Sequence, residues 1–187
     1  MNRYAKKPMT KGLAKRLLVS TPYRNDASHE LVLVSCDIKT ISSIPFSDLT
    51  PTDWGFVYER HVGVYYETLG YSVDYRGFRL GLFDSGIDLV AAKTDMPTCY
   101  VQCKATQKKL GKQAIETILY KGGNFISKDI AGIDGPPPDF VLAVLDKDKN
   151  MSAYNQHRFL RHNKTQSRTT LSILSLPWSS YTPSNND

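Results

Sequence analysis

Long apolar runs, patterned cysteines and patterned histidines are all missing from this chain, and each absence removes a class of protein. No stretch of 18 apolar residues occurs, so no transmembrane helix is expected. The apolar residues between Leu13 and Val19 are interrupted by Lys15 and Arg16, which excludes a secretory h-region there. The three cysteines, Cys36, Cys99 and Cys103, form neither a CxxC pattern nor an even set, so no disulfide framework is expected. They read as thiols of a reducing, cytoplasmic compartment. The four histidines, His29, His61, His157 and His162, lack metal-ligand spacing, which argues against a structural zinc. No internal repeat and no long linker is visible.

What is present is a basic, globular composition. The 187 residues carry 24 Lys and Arg against 18 Asp and Glu, a formal charge of +6, with 22% of residues charged. That length suits one compact domain with an extra arm. The pI of about 9.2 favours a polyanionic partner, most simply nucleic acid.

Along the chain, residues 1–50 read as a basic N-terminal arm (Arg3, Lys6, Lys7, Lys11, Lys15, Arg16 and Arg24) ending in a tail or short helix and followed by extra strands at Leu31–Val34 and Thr40–Ile44. Residues 51–150 form the core, and 151–187 a basic C-terminal extension packed on it. A helix is predicted from the Thr50-Pro51-Thr52-Asp53 cap region to a closing Gly70, with Trp54, Val57, Tyr58, Val62, Tyr65 and Leu69 as its apolar stripe. Glu59 lies at the edge of that stripe. Tyr71 to Arg76 alternates as a strand, and Gly77 to Gly86 reads as a glycine-punctuated loop. A second helix buries Ala114, Ile115, Ile118 and Leu119 and is expected to stop at Gly122-Gly123. Pro136-Pro137-Pro138 marks a loop. Phe140 to Leu145 reads as a strand covered on both faces, and Leu171 to Trp178 as a final strand.

The chemistry concentrates between Gly86 and Lys104. A turn at Lys93-Thr94-Asp95-Met96-Pro97 joins two strands and sets Asp88 opposite Gln102. Alternation then puts Gln102 and Lys104 on one polar face with Tyr100, and Cys99, Val101 and Cys103 on an apolar face with Ile87, Leu89 and Ala91. An acid, an amide oxygen and an ammonium converging on one face suit a hard, oxygen-preferring cation and phosphodiester hydrolysis. Asp88 supplies a carboxylate, Gln102 its amide oxygen, and Cys103 its backbone carbonyl as metal ligands. Lys104 steadies the attacking water or the developing anion, and Glu59 adds a second acid that acts through a water or on a second metal. Candidate phosphate contacts are Arg76 and Arg79, then Lys108, Lys109 and Lys112, and on the extension Arg158, Arg161, Lys164 and Arg168.

Four segments together carry a resemblance: Glu59 within Tyr-Glu-Arg-His-Val, Leu69-Gly70-Tyr71, Asp84-Ser85-Gly86-Ile87-Asp88-Leu89, and Val101-Gln102-Cys103-Lys104. Their order and spacing, continued by Gly111 and Ala114-Ile115, are similar to the Mrr-like restriction endonuclease domain of the PD-(D/E)xK nuclease superfamily, in the branch where Gln replaces the acid before x-Lys. The resemblance spans residues 54–146. It implies an α/β, restriction-endonuclease-like core with a central mixed β-sheet flanked by helices in α-β-β-β-α-β order. It also implies Mg²⁺-dependent DNA cleavage (Mn²⁺ as a substitute) by Glu59, Asp88, Gln102 and Lys104, in a homodimer whose subunits each cut one strand. The stretch Phe78 to Phe83 departs from the small polar residues usual in relatives. A Holliday-junction-resolvase-like nuclease and a catalytically silent nuclease-fold DNA-binding protein stay open beside restriction-type cleavage.

Overall fold

The computed structural model of the chain describes residues 12–37, 39–80, 86–130, 136–161 and 169–180. The chain divides into two compact units, residues 1–61 with 178–187, and residues 62–177.

The first unit contains helix α1 (Leu13–Leu18) and an antiparallel three-stranded sheet of β1 (Thr21–Asn25), β2 (Glu30–Val34) and β3 (Thr40–Pro45). β2 and β3 match the expected extra strands. β1 falls where a tail or short helix was expected: its sequence, Thr-Pro-Tyr-Arg-Asn, is poor in strand formers and is held by ladder pairing to β2 from Thr21↔Val34 to Asn25↔Glu30. Helix α2 (Pro51–Thr68) begins in this unit. Thr50 and Asp53 cap it reciprocally, the Asp53 N–H donating to Thr50 Oγ1 at 3.1 Å and the Thr50 N–H to Asp53 Oδ2 at 2.8 Å, with Pro51 preset at the first helical position. Trp54 packs edge-on against Phe46 and Trp178 at ring separations of 5.1 and 5.5 Å.

In the second unit α2 ends as expected. Gly70 sits at φ +81°; its N–H donates to the Glu67 carbonyl and the Tyr71 N–H to the Tyr66 carbonyl, which satisfies the last free carbonyls. The buried stripe differs in its lower half. Tyr66 is buried where Tyr65 was expected, and Leu69 is exposed, because the capping turn carries it out of helical phase.

The sheet of this unit has the order β4-β5-β6-β7-β8. Its strands are β4 (Ser72–Tyr75), β5 (Leu89–Ala92), β6 (Cys99–Lys104), β7 (Asp139–Val144) and β8 (Thr170–Ser175). The first three are antiparallel, whereas β6, β7 and β8 are parallel. Parallel neighbours need crossover connections, and helices supply them: α4 (Lys112–Asp129) between β6 and β7, then α5 (Lys147–Asn150) and α6 (Ala153–Arg161) between β7 and β8. The element order of the core is the expected α-β-β-β-α-β. Helix α3 (Arg76–Leu80) occupies the first half of the segment read as a loop.

Both sheet faces are covered. On one, Tyr100, Phe140, Leu142 and Val144 pack with Ile115, Ile118, Leu119 and Ile126 of α4, Met151, and Phe159 of α6. Ile87 joins this cluster, not the face of Leu89 and Ala91, since it precedes β5 and is released from strand alternation. Tyr100, expected on a polar face, keeps its place in the alternation of β6 but is core because α4 covers it. The opposite face buries Leu89, Ala91, Cys99, Val101 and Cys103, the expected period-2 set. Burial raises the Cys99 thiol to about 11, so it stays protonated. All three cysteines are free, and only Cys36 is exposed.

Gly122-Gly123 does not end α4, which continues to Asp129. A Cβ at Gly122 would meet the Phe140 ring at 2.3 Å, so this glycine admits a core side chain into the helix surface. Among the described residues no helix is long and apolar enough to cross a membrane.

Candidate metal centre

Asp88 sits immediately before β5 and is fixed from both sides. Its N–H donates to the Val101 carbonyl at 2.9 Å, and its carbonyl accepts the Gly77 N–H at 2.9 Å. The β5–β6 register pairs Leu89 with Val101, which sets Asp88 opposite Gln102 as expected. The turn that fixes this register carries Asp95 at φ +61°, a conformation that short polar residues tolerate.

Asp88 and Gln102 are 4% and 5% exposed, so their polar atoms need partners within the fold. The Cys103 N–H donates to Asp88 Oδ2 at 2.6 Å. The Gln102 amide nitrogen donates to the same oxygen and to the Cys103 carbonyl at 3.3 Å. An NH₂ group thus lies between a carboxylate and a carbonyl, a position whose electrostatics also suit a cation. A half-turn of the amide exchanges its nitrogen for its oxygen, and three oxygen donors then converge. Hard divalent ions such as Mg²⁺ take oxygen ligands of this kind, so the donor set fits. No cluster of three His, Cys, Asp or Glu side chains able to hold a metal occurs among the described residues. Amide and carbonyl oxygens therefore have to complete any ligand set around Asp88.

Lys104 ends β6 on the Gln102 face and is half-buried. Glu59 is buried on α2, within the first unit. The connection between β6 and α4, which carries exposed Lys108 and Lys109, is pinned by two buried asparagines. Asn150 Nδ2 donates to the Thr106 carbonyl at 2.6 Å, the Leu110 N–H donates to the Asn150 carbonyl at 2.7 Å, and Asn155 Nδ2 donates to the Leu110 carbonyl at 2.8 Å. Lys112 is exposed at the start of α4.

The remaining basic candidates are engaged to different degrees. Arg76 lies with its guanidinium 4.4 Å above the Phe125 ring. Arg79 is ion-paired with Asp74 at 2.9 Å, and Arg158 with Glu116. Arg161 is exposed at the end of α6. Arg24 bridges Asp26 at 2.7 Å and stacks on Phe46 and Trp54. Lys164, Arg168 and the arm residues Arg3, Lys6, Lys7 and Lys11 lie outside the described residues. Sequence reasoning passed over Asn150 and Asn155, whose roles depend on contacts more than 40 positions away.

A mixed five-stranded sheet flanked by helices, with a buried Asp opposite Gln-x-Lys on adjacent strands, defines a restriction-endonuclease-like fold. The family model described as a restriction endonuclease, of the Mrr catalytic type, matches residues 54–121. That stretch is similar to the Mrr-type restriction endonuclease family, and it contains Glu59, Asp88, Gln102 and Lys104. No curated protein and no solved structure matches the chain.

Proposed function

We propose that this protein is a Mg²⁺-dependent DNA endonuclease that hydrolyses phosphodiester bonds, with Mn²⁺ as a workable substitute. The observation that carries the proposal is the Gln102 amide lying between the Asp88 carboxylate and the Cys103 carbonyl, on the strand that ends in Lys104. Asp88, Gln102 and the Cys103 carbonyl hold the ion, which supplies Lewis acidity and positive charge against a phosphate substrate. Lys104 donates a hydrogen bond to the attacking water or to the phosphoryl oxygen on which charge develops, an electrostatic contribution that grows toward the transition state. Glu59, a buried carboxylate within the matched stretch, is assigned as the second acid, orienting water. Lys108, Lys109 and Lys112 bind the DNA backbone and keep the substrate in register. We take the active form to be a homodimer, each subunit cutting one strand.

The test combines substrate and metal. Supercoiled plasmid and a four-way junction are incubated with Mg²⁺, Mn²⁺ or chelator, beside Asp88→Ala and Lys104→Ala. Cleavage that needs the divalent ion and disappears in both variants is expected. Preference for the junction over linear duplex would assign a resolvase-like specificity. Intact DNA under every condition, with salt-sensitive binding retained, would assign a silent DNA-binding protein and overturn the enzyme.

A further inference from the structure

Gly86 precedes Asp88 by two residues and adopts φ +83°. A Cβ built there would lie 2.9 Å from Lys121 Cβ, 3.6 Å from Lys121 Cδ and 3.5 Å from Gln102 Oε1. One small volume therefore separates the stem of a lysine on α4 from the amide of the candidate metal centre, and it stays open only because residue 86 has no side chain. Lys121 is exposed. Its stem packs along Gly86 while its ammonium reaches water, the usual division for a long cationic side chain.

Lys121 has no ion-pair or side-chain hydrogen-bond partner among the described residues, as is also true of Lys109, Lys112 and Lys128; what sets it apart is its place between Gly86 and the Phe125–Arg76 pair. One helical turn further along α4, Phe125 carries the Arg76 guanidinium at 4.4 Å, and Arg76 Nε is buried with no hydrogen-bond partner among the described residues. A buried N–H without an acceptor is costly. An oxyanion arriving at this face of α4 would meet two cations, one with a donor already desolvated.

We infer that Lys121 is a substrate-binding residue that contacts a DNA backbone phosphate beside the Asp88–Gln102 centre. The inference rests on the nuclease reading and adds to it a third element: the residue before β5 supplies the acid, β6 the amide and Lys104, and α4 a phosphate clamp. Gly86 is the fitting piece that lets the helix approach.

The experiment measures binding without turnover. Anisotropy of a labelled duplex is followed over a salt series in chelator for the wild type, Lys121→Met, Lys121→Arg and Lys149→Met. Methionine keeps an unbranched stem on Gly86 and removes the charge. Each lost phosphate contact reduces the slope of log K against log salt by about 0.9. Lys121→Met is therefore expected to flatten the slope by about that amount and to weaken binding about eightfold at 0.1 M salt relative to the 1 M limit. Lys121→Arg and Lys149→Met, the latter removing a lysine paired with Asp146, should keep the wild-type slope. A wild-type slope in Lys121→Met overturns the inference and leaves the nuclease reading standing. A wild type with no salt-dependent binding overturns both.

Discussion

Adjacent glycines in α4 should respond to the same substitution with opposite signs. A methyl at Gly122 falls 2.3 Å from Phe140 Cζ, 2.6 Å from Cε1 and 3.0 Å from Cε2, against about 3.5–4.0 Å for relaxed carbon contacts. The obstacle must retreat by roughly an ångström, and it is a ring that is 1% exposed and backed by Phe159 at 5.9 Å. Overpacking of this kind costs about 1–3 kcal/mol, and so severe an overlap belongs at the upper end. The helix-propensity gain of alanine over glycine, about 1 kcal/mol, offsets part of it. Gly122→Ala should thus destabilise the protein by about 2 kcal/mol. At Gly123 a methyl meets nothing within 4 Å, so only the propensity gain remains and Gly123→Ala should stabilise by about 0.5–1 kcal/mol. Urea unfolding of the two variants beside the wild type measures both. A double variant, Gly122→Ala with Phe140→Leu, should recover part of the loss, because leucine has no atom at the ring's Cζ position. Shifts of the same sign in both single variants would refute the helix–strand packing described above.

Three further outcomes can be checked. Gln102→Glu places a second buried carboxylate against Asp88; it should lower the thermal midpoint in chelator and give a larger Mg²⁺-induced rise than the wild type, read by calorimetry. Asn150→Ala removes the hydrogen bond to the Thr106 carbonyl and the acceptor of the Asp146 N–H. It should cost about 2–3 kcal/mol and raise hydrogen exchange in residues 106–110. The Cys99 thiol is raised from 9.0 to about 11 by burial, so its contribution to stability is complete below pH 9 and is lost as the pH climbs through 11. Unfolding midpoints should fall across that window, and Cys99→Ala should flatten part of the fall.

Alternation and turn chemistry carried the second unit a long way from sequence. Asp95 and Pro97 located the hairpin, the hairpin set the register, and the register put Asp88 opposite Gln102. Caps did the same for α2, where Thr50, Asp53 and Gly70 all act as their residue types suggest. What failed were positions whose meaning lies in a distant partner. Gly122-Gly123 is a stop signal by local propensity, and only the Phe140 ring, on another element, explains its place inside a helix. Tyr100 alternates with polar neighbours, yet α4 covers it and Asp129 takes its hydroxyl at 2.6 Å. Strand β1 has little intrinsic preference for its conformation and obtains it from β2.

The pairing of Asp88 with Gln102 was legible in the sequence, but its electrostatics were not. Gln102 looks from sequence like a weakened ligand, a carboxylate that lost its charge. Its burial changes that reading. Two carboxylates set face to face at about 5% exposure would repel in a medium where charge is poorly screened, and one would have to be protonated or neutralised for the strands to close. The amide avoids the conflict: its NH₂ satisfies Asp88 and the Cys103 carbonyl together, so β5 and β6 close without an added counter-ion. The same side chain can turn its oxygen inward when a cation is present. On the proposed reading, Gln102 would couple two properties that a second acid would set against each other: an Asp88 whose buried charge is already met by an amide, and an oxygen that can turn toward a cation.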